Sequence, residues 1–216
     1  MIIFADLILF ILLTSIFLII TSFLLQQGYP LWASPFLGLS FTYLLLISLS
    51  VIFHWVLRVI VGKNPGYLPS WKVPLWGIMA GIHYFLFFTL QLFLPREFLP
   101  KALLRLFGLK IGSNSVTMGI ILDPEMVEIG NNVFLEPGAI LSGHIMSRPD
   151  RSVFRARVVI EDGVRIGNNS VIAPGVHIAA DTIVLPNSYV PAKRTLESGK
   201  TYGGNPATNI DTNKEV

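Results

Sequence analysis

The chain contains no cysteine, and this absence excludes several kinds of chemistry together. Disulfide bonds, thiolate nucleophiles and thiolate metal ligands all need that side chain. Charged residues are also scarce, at 13% of 216 residues, and the net charge is only +3. The lysines and arginines form no basic stripe with interleaved aromatic residues, so we expect no nucleic-acid partner. Hydrophobic residues make up 52% of the chain, which is too apolar for an ordinary soluble domain.

The apolar surplus lies in the first half of the chain, in three runs at residues 2–25, 36–61 and 75–94. Each run is long enough to cross the hydrocarbon core of a bilayer, which takes about 20 residues as a helix. A secretory signal is the alternative for the first run, but that run lacks a basic beginning and is too long. We therefore predict a transmembrane helical domain over residues 1–96, with the lipid bilayer as its partner.

The positive-inside rule conflicts with three complete membrane spans in this chain. Basic residues cluster between the second and third runs and again after the third, and the rule assigns both clusters to the cytoplasm. Three complete spans cannot satisfy it, because the two clusters flank one helix. We predict a protein integral to the cytoplasmic membrane, with its second half in the cytoplasm. The third run would be re-entrant, with a break permitted near its start by Pro74, Gly77 and Gly81, and Trp71, Lys72 and Trp76 would anchor the interface.

Residues 97–110 are predicted to form a short amphipathic connector helix at the membrane surface. Its apolar and basic side chains occupy different faces: Phe98, Ala102, Leu103 and Leu106 on one, Lys101 and Arg105 on the other. The helix is either a plain connector or part of a substrate site.

An aliphatic residue recurs at every sixth position of residues 158–191: Ile160, Ile166, Ile172, Ile178, Val184 and Val190. A period of six fits neither a helix nor a flat strand. It is typical of a solenoid in which three short strands close one coil and the aliphatic residues stack inward. The register extends back to Ile111, so we predict a solenoid over residues 111–207 and a polar tail over 208–216. Asp123 is the exception to this pattern, because it places a carboxylate at an inward position, and we expect the turn to bulge there.

Residues 144–157 interrupt the repeat and carry four arginines. They are predicted to form a loop that projects from the solenoid. Irregular loops on a rigid scaffold are common places for functional sites.

Three segments around this loop resemble the left-handed parallel β-helix acyltransferases, the hexapeptide-repeat family: residues 138–144, 158–167 and 199–207. The chain is also similar to the C-terminal region of nonribosomal-peptide-synthetase-like ligases. There a single histidine opens a loop with a phenylalanine and a basic residue, matched here by His144, Phe154 and Arg155. The resemblance implies N-terminal transmembrane α-helices followed by a left-handed parallel β-helix, in a homotrimer whose sites are shared by two subunits.

The resemblance also implies an acyltransferase. Its donor would be acyl-CoA, such as acetyl-CoA, or the phosphopantetheine thioester of an acyl or peptidyl carrier protein, used as a co-substrate rather than a bound cofactor. The acceptor would be a hydroxyl or an amine. His144 matches the family's general base, and imidazole suits proton transfer near neutral pH.

Candidate partners of this base follow from the register. Residues eighteen apart stack on neighbouring coils, so Met126 is expected under His144, with Glu125 beside it and Asp123 two residues back. Either carboxylate could orient the imidazole or bind the acceptor. The alternative for each is a solvated carboxylate of a turn.

Basic side chains of the loop suit the phosphates of the donor, although a solvated loop also carries such charges. The closing segment resembles the part of the family's fold that lines the donor groove. The predicted donor-binding residues are Arg148, Arg155, Arg157, Lys193, Gly203, Gly204 and Asn205.

Other functions fit the sequence less well. A zinc enzyme needs three histidine ligands, and the solenoid has only His144 and outward-pointing His177, so we expect no metal. A carrier-dependent, amide-forming ligase component and a non-catalytic trimeric membrane scaffold stay as alternatives, although a scaffold has no need of His144 and an arginine-rich loop. In the second apolar run, His54 and Arg58 could meet an anionic lipid headgroup.

Overall fold

The computed structural model describes residues 2–62, 64–91, 100–147 and 152–210. These residues form four α-helices: α1 (Ile2–Gln26), α2 (Ser34–Val61), α3 (Val73–Gln91) and α4 (Pro100–Leu106). They also form eighteen short strands: β1 (Gly66–Tyr67), β2 (Lys110–Ile111), β3 (Val116–Thr117), β4 (Ile120–Ile121), β5 (Val127–Ile129), β6 (Phe134–Leu135), β7 (Ile140–Leu141), β8 (His144–Met146), β9 (Val153–Arg155), β10 (Val158–Ile160), β11 (Arg165–Ile166), β12 (Val171–Ile172), β13 (His177–Ile178), β14 (Ile183–Val184), β15 (Tyr189–Val190), β16 (Thr195–Leu196), β17 (Thr201–Gly204) and β18 (Ala207–Asn209).

The chain divides into two compact units, Met1–Phe53 and His54–Val216. In the first unit, α1 contacts the first part of α2. A Cβ atom on Gly38 would lie 2.3 Å from Oγ1 of Thr21, so glycine permits this close approach of the two helices. The boundary between these units lies inside α2. The domain boundaries predicted from the sequence pattern, at residues 96, 110 and 207, lie elsewhere.

Within the described residues, one helix is long and apolar enough to cross a membrane. This helix is α2, with a mean hydropathy of 2.3 in its most apolar window, and Thr14–Gln26 is a shorter apolar stretch. All three apolar runs of the sequence are helical wherever they are described. The transmembrane domain itself stays a prediction.

Two details of the helical half differ from expectation. The third run is helical without a break as far as Gln91, because α3 continues through Pro74, Gly77 and Gly81. The connector is shorter than predicted: α4 ends at Leu106, before Gly108 adopts a φ of 102°. Its buried side chains are Leu103 and Leu104, which pack toward the solenoid, whereas the predicted face included Ala102 and Leu106, which are exposed. Residues 97–99 lie outside the described part.

The solenoid consists of three sheets, each of which takes one strand from successive coils, and their strands pair in parallel except for the last pair, β17 and β18. The register predicted from Ile160 onward is confirmed, because Ile160 pairs with Ile178, Ile166 with Val184 and Ile172 with Val190. These side chains are almost fully buried and form the core of the prism. The fold is therefore a parallel β-helix, and its left-handedness stays a prediction.

The inward position of the first coil is occupied by Ile121 and not by Asp123. Ile121 pairs with Leu141, and the chain then turns through the 3-10 helix Pro124–Met126 before β5. The predicted bulge is present as this turn. It carries Asp123 away from the aliphatic column and leaves its carboxylate free to meet a polar partner.

The arginine-rich segment is a β-hairpin where it is described, and not an irregular loop. β8 and β9 pair antiparallel, with His144 opposite Arg155. The segment that follows α2 adds a third strand, because β1 pairs with β9. The amide of Leu68 also donates to the carbonyl of Val153 at 2.9 Å. The six-residue period of the sequence does not predict this pairing, because β1 lies in the helical half of the chain, outside the repeat.

Candidate active site

A histidine and an aspartate form the centre of the site. Nδ1 of His144, the first residue of β8, lies 2.6 Å from Oδ2 of Asp123. The aspartate side chain is 2% exposed and the histidine side chain 17%. A carboxylate accepts, so Nδ1–H donates to it, and Nε2 is left to take a proton from another molecule.

The backbone before His144 is packed closely against this pair. The amide of Gly143 donates to the same Oδ2 atom of Asp123 at 2.9 Å. A Cβ atom on Gly143 would lie 2.6 Å from Cβ of Met126 and 3.1 Å from Cβ of Asp123. Met126 thus lies beneath Gly143, while Asp123 and not Met126 meets His144. The expected spacing of eighteen fails here because the 3-10 turn lengthens the first coil.

A tryptophan from the helical half forms one wall of the site. The ring of Trp76, in α3, lies against the His144 imidazole with centroids 4.5 Å apart and planes at 62°. Trp76 is 5% exposed and packs in a cluster with Met79, Ala80 and Val153. Sequence reasoning missed this role and assigned Trp76 to the interface. No local signal separates the two roles, because the contact joins distant parts of the chain.

The second predicted carboxylate has a different partner. Oε1 of Glu125 accepts from Nη2 of Arg155 at 2.7 Å, and both side chains are almost completely buried. Nη1 of Arg155 also donates to the carbonyl of Gly62, just after α2, at 3.3 Å. The guanidinium of Arg155 is therefore enclosed and bonded within the protein, and its predicted role in binding donor phosphates stays untested.

Burial raises the pKa of the Glu125 carboxyl from its ordinary 4.5 to about 7. The Asp123 carboxylate adds to the rise, and the guanidinium groups of Arg155 and Arg58 oppose it. Among the described residues, Oε2 of Glu125 has no hydrogen-bond partner. This missing partner makes the charged form still more costly to hold.

The remaining predicted donor residues lie in several places. Arg157 forms an ion pair with Glu128 and is partly exposed. Nζ of Lys193 lies 4.5 Å from the ring centroid of Phe154 in β9, so this lysine borders the hairpin. Gly203 and Gly204 belong to β17, and Asn205 is exposed in the turn that follows. The structure gives no contact of these three residues with His144. Arg148 lies outside the described residues.

His54 has no exposed surface for the headgroup contact that the sequence suggests for it and Arg58. His54 is fully buried, with its ring 5.2 Å from that of Phe107, just after α4. The Arg58 guanidinium lies over the ring of Trp55, 4.5 Å from its centroid, and Nε1 of Trp55 donates to the carbonyl of Leu106. The last turns of α2 therefore pack against α4 and the base of the solenoid.

A narrow apolar cleft lies beside the turn that carries Asp123. Tyr84 of α3 is its one residue with a polar side chain, and its lining is Tyr84, Leu103, Leu104, Phe107, Ile120, Ile121 and Pro124. Leu103 belongs to the connector helix, for which a part in a substrate site was one alternative, and the other lining residues were not predicted as part of a site. The lining residues come from α3, from α4 and the residue after it, from β4 and from the 3-10 turn, which only the fold brings together.

Residues 157–192 match the family model described as bacterial transferase hexapeptide (six repeats). The match covers the regular coils after the hairpin and supports the prediction of a hexapeptide-repeat transferase. No curated protein sequence matches the chain significantly.

Several solved structures are similar to this chain. A hexapeptide-repeat-containing acetyltransferase from Vibrio cholerae is 22% identical over 69% of this chain and 97% of its own, with a TM-score of 0.52. The acetyltransferase from Vibrio cholerae O1 biovar eltor, complexed with acetyl coenzyme A, is 29% identical over 50% of this chain and 61% of its own, with a TM-score of 0.45. A maltose O-acetyltransferase from Clostridium difficile 630 is 19% identical over 53% of this chain and 75% of its own, with a TM-score of 0.42.

The match to the Vibrio cholerae O1 biovar eltor acetyltransferase spans less than two thirds of that protein's length. The 22% identical match shows a shared fold, and the family match identifies the repeat. The second half of this chain is accordingly a hexapeptide-repeat solenoid similar to those of bacterial transferases.

Proposed function

We propose that the chain is an integral-membrane acyltransferase, with an acyl-CoA thioester as donor and a hydroxyl or amine presented at the bilayer as acceptor. The observation that carries the proposal is the His144–Asp123 pair, joined at 2.6 Å at the point where the hairpin leaves a hexapeptide-repeat solenoid. A scaffold needs no such pair. A partly exposed imidazole on a buried carboxylate is the arrangement that general-base catalysis requires.

The proposed reaction uses both ring nitrogens of His144. Nε2 of His144 takes the proton of the acceptor, whose oxygen or nitrogen attacks the thioester carbonyl and forms a tetrahedral intermediate. The intermediate collapses, the carbon–sulfur bond breaks, and the thiolate leaves with the proton that His144 has held. The Asp123 carboxylate keeps the Nδ1–H tautomer in place and stabilises the imidazolium formed midway.

The membrane part of the proposal rests on α2 and on the packing around its end. The hydrogen bond between Trp55 and Leu106 and the contact between Trp76 and His144 both lie in the unit that contains the solenoid. They support a site beside the bilayer, with the end of α2 and the solenoid on one side. The positive-inside rule favours the cytoplasm for that side. We also propose a homotrimer, to be tested by native mass spectrometry.

The test is thioester consumption by the purified full chain in detergent, with acetyl-CoA as donor and a total lipid extract as acceptor. The chain has no cysteine, so no protein thiol adds to the coenzyme A signal. We expect lipid-dependent release of the thiol. A phosphopantetheine carrier thioester in a parallel assay distinguishes the two donor classes.

His144→Ala should reduce this release about a hundredfold or more, the usual cost of losing a general base. The matched control is His177→Ala, because Nε2 of His177 lies 2.7 Å from Oε1 of Glu161 in a half-exposed pair on another face. The control should keep the wild-type rate. If His144→Ala retains more than a few per cent of the activity, another residue is the base.

A further inference from the structure

An imidazole, a guanidinium and two carboxyl groups meet beneath the hairpin. His144 and Arg155 are directly opposite each other on β8 and β9, so their Cβ atoms lie about 5 Å apart and face the same way. Asp123 and Glu125 lie two residues apart on the 3-10 turn below. Asp123 takes the imidazole and Glu125 takes the guanidinium.

The same four groups allow a second pairing, in which the Arg155 guanidinium binds Asp123 in place of His144. A guanidinium is always charged and binds carboxylates more strongly than a neutral imidazole does. Asp123 and Glu125 interact electrostatically. Asp123 is also bonded to His144, the residue directly opposite Arg155. An Arg155 side chain without Glu125 would therefore turn to Asp123, a buried carboxylate at the start of the same turn.

We propose that Glu125 is a positioning residue for the transfer reaction: it holds the Arg155 guanidinium and so reserves Asp123 for His144. The inference rests on the proposed function, in which His144 is the base. Neither Glu125 nor Arg155 touches the reacting atoms. Their effect on the rate passes through the orientation and tautomer of the imidazole.

The other groups that face Glu125 are consistent with this role. Arg58 of α2 is the second cation within electrostatic range, and its guanidinium lies over Trp55. Tyr84 of α3 is the titratable group that faces the two carboxylates from the other side. Among the side chains of the described residues, Arg155 alone is hydrogen-bonded to Glu125. Arg155 is therefore the cation that would compete with His144 for Asp123 if Glu125 did not bind it.

The proposal predicts that substitutions of Glu125 and of Arg155 have unequal effects on kcat. A purely structural role of the pair predicts equal effects. Glu125→Gln releases Arg155 and should lower kcat at least tenfold, with little change in the KM for acetyl-CoA. Arg155→Gln removes the competitor and should leave kcat within about threefold of wild type, because Glu125 can then bind a proton. The double variant Glu125→Gln/Arg155→Gln should recover most of the rate lost in Glu125→Gln. A pair that only braces the hairpin would be damaged similarly by either substitution and would not recover in the double variant.

A second measurement reads the imidazole without any activity. In full-length protein labelled with ¹⁵N-histidine, the His144 signal is assigned by its loss in His144→Gln. Wild type, Arg155→Gln and the double variant should show the Nδ1–H tautomer, and Glu125→Gln should lose it. Glu136→Gln is the matched control, since Glu136 is a buried glutamate that pairs with Arg165 at 2.6 Å on another sheet. This control should change neither the spectrum nor kcat.

If Glu125→Gln does not fold, Arg155→Gln and the double variant decide the matter. Near-wild-type rates and an intact tautomer in both support the proposal, and a loss of tenfold or more in either overturns it. An absence of thioester consumption by the wild type would defeat the proposed function instead, and the tautomer would still report on the pairing.

Discussion

At the scale of single residues, Gly143 determines how closely the chain before His144 approaches the Asp123 carboxylate. Its amide donates to Asp123, and its missing side chain leaves room for Cβ of Met126 and Cβ of Asp123. The restriction is one of space alone, because Gly143 is not among the glycines with positive φ. Any side chain here must move the turn away from His144.

Gly143→Ala should therefore lower kcat by about ten- to a hundredfold, since small displacements at a reacting centre cost that much. It should also destabilise the fold by about 1–3 kcal/mol, as overpacking does. Thioester kinetics and thermal unfolding measure the two effects. Gly77→Ala, where a Cβ atom would have nothing within 4 Å, is the control. Wild-type kinetics in Gly143→Ala would show that the turn can shift without moving Asp123.

The raised pKa of Glu125 gives a pH dependence of known sign. The folded protein holds the Glu125 proton up to a pH of about 7, whereas the unfolded chain releases it near 4.5. This contribution to stability is thus complete below pH 4.5 and is lost as the pH rises through about 7. The melting temperature of wild type should fall over this window, and the double variant Glu125→Gln/Arg155→Gln should fall less steeply. Parallel curves would mean that Glu125 is ionised throughout.

The histidine of the site is predictable from sequence, because it stands where the repeat stops. Its pairing with Asp123 is only partly predictable, since both Asp123 and Glu125 fit the register. The burial of Arg155 is not predictable. A basic residue in an arginine-rich segment suggests a solvated charge, and only the cross-strand position and the Gly62 carbonyl show otherwise.

At the scale of elements, each solenoid strand presents one side chain inward and the next outward. Ile178 of β13 is fully buried, whereas Ile183 of β14 is 40% exposed. Ile178→Asp should unfold the solenoid, because a charge in the dry column has no partner and its desolvation costs several kcal/mol. Ile183→Asp, the same change at an outward position, should fold and melt near the wild-type temperature. Circular dichroism and gel filtration measure both, and a folded Ile178→Asp protein would contradict the register.

These strands are predictable because the period of six is a local pattern that repeats along the chain. The same reasoning fails at Ile121, where the 3-10 turn adds residues between two inward positions. It fails again at β8 and β9, whose sheet is completed by β1. In both places the deciding partner lies outside the repeat.

At the scale of the whole molecule, the unit that begins at His54 contains the end of α2, all of α3, α4 and the solenoid. If α2 crosses the membrane and this unit lies in the cytoplasm, both basic clusters obey the positive-inside rule without three complete spans. The conflict found in the sequence then disappears.

Single cysteines test this arrangement directly in a cysteine-free chain. Ser70 and Ser198 are exposed, and we expect neither Ser70→Cys nor Ser198→Cys to react with an impermeant maleimide on intact cells. Both should react after the membrane is opened. Labelling of Ser198→Cys from outside would refute the cytoplasmic solenoid. Labelling of Ser70→Cys alone would mean that α3 crosses completely.

The third strand of the hairpin sheet also has a consequence for how the protein is made. The hydrogen bond from Arg155 to Gly62 joins residues 93 apart in the chain. Helices form locally within microseconds and solenoid coils add one to the next, but this bond must wait for synthesis of Arg155. At about 5–20 residues per second, the ribosome needs about 5–20 s to cover that separation. During that time β1 is an unpaired strand edge, open to wrong partners, so the sheet that contains His144 is completed only after β9 has been synthesised.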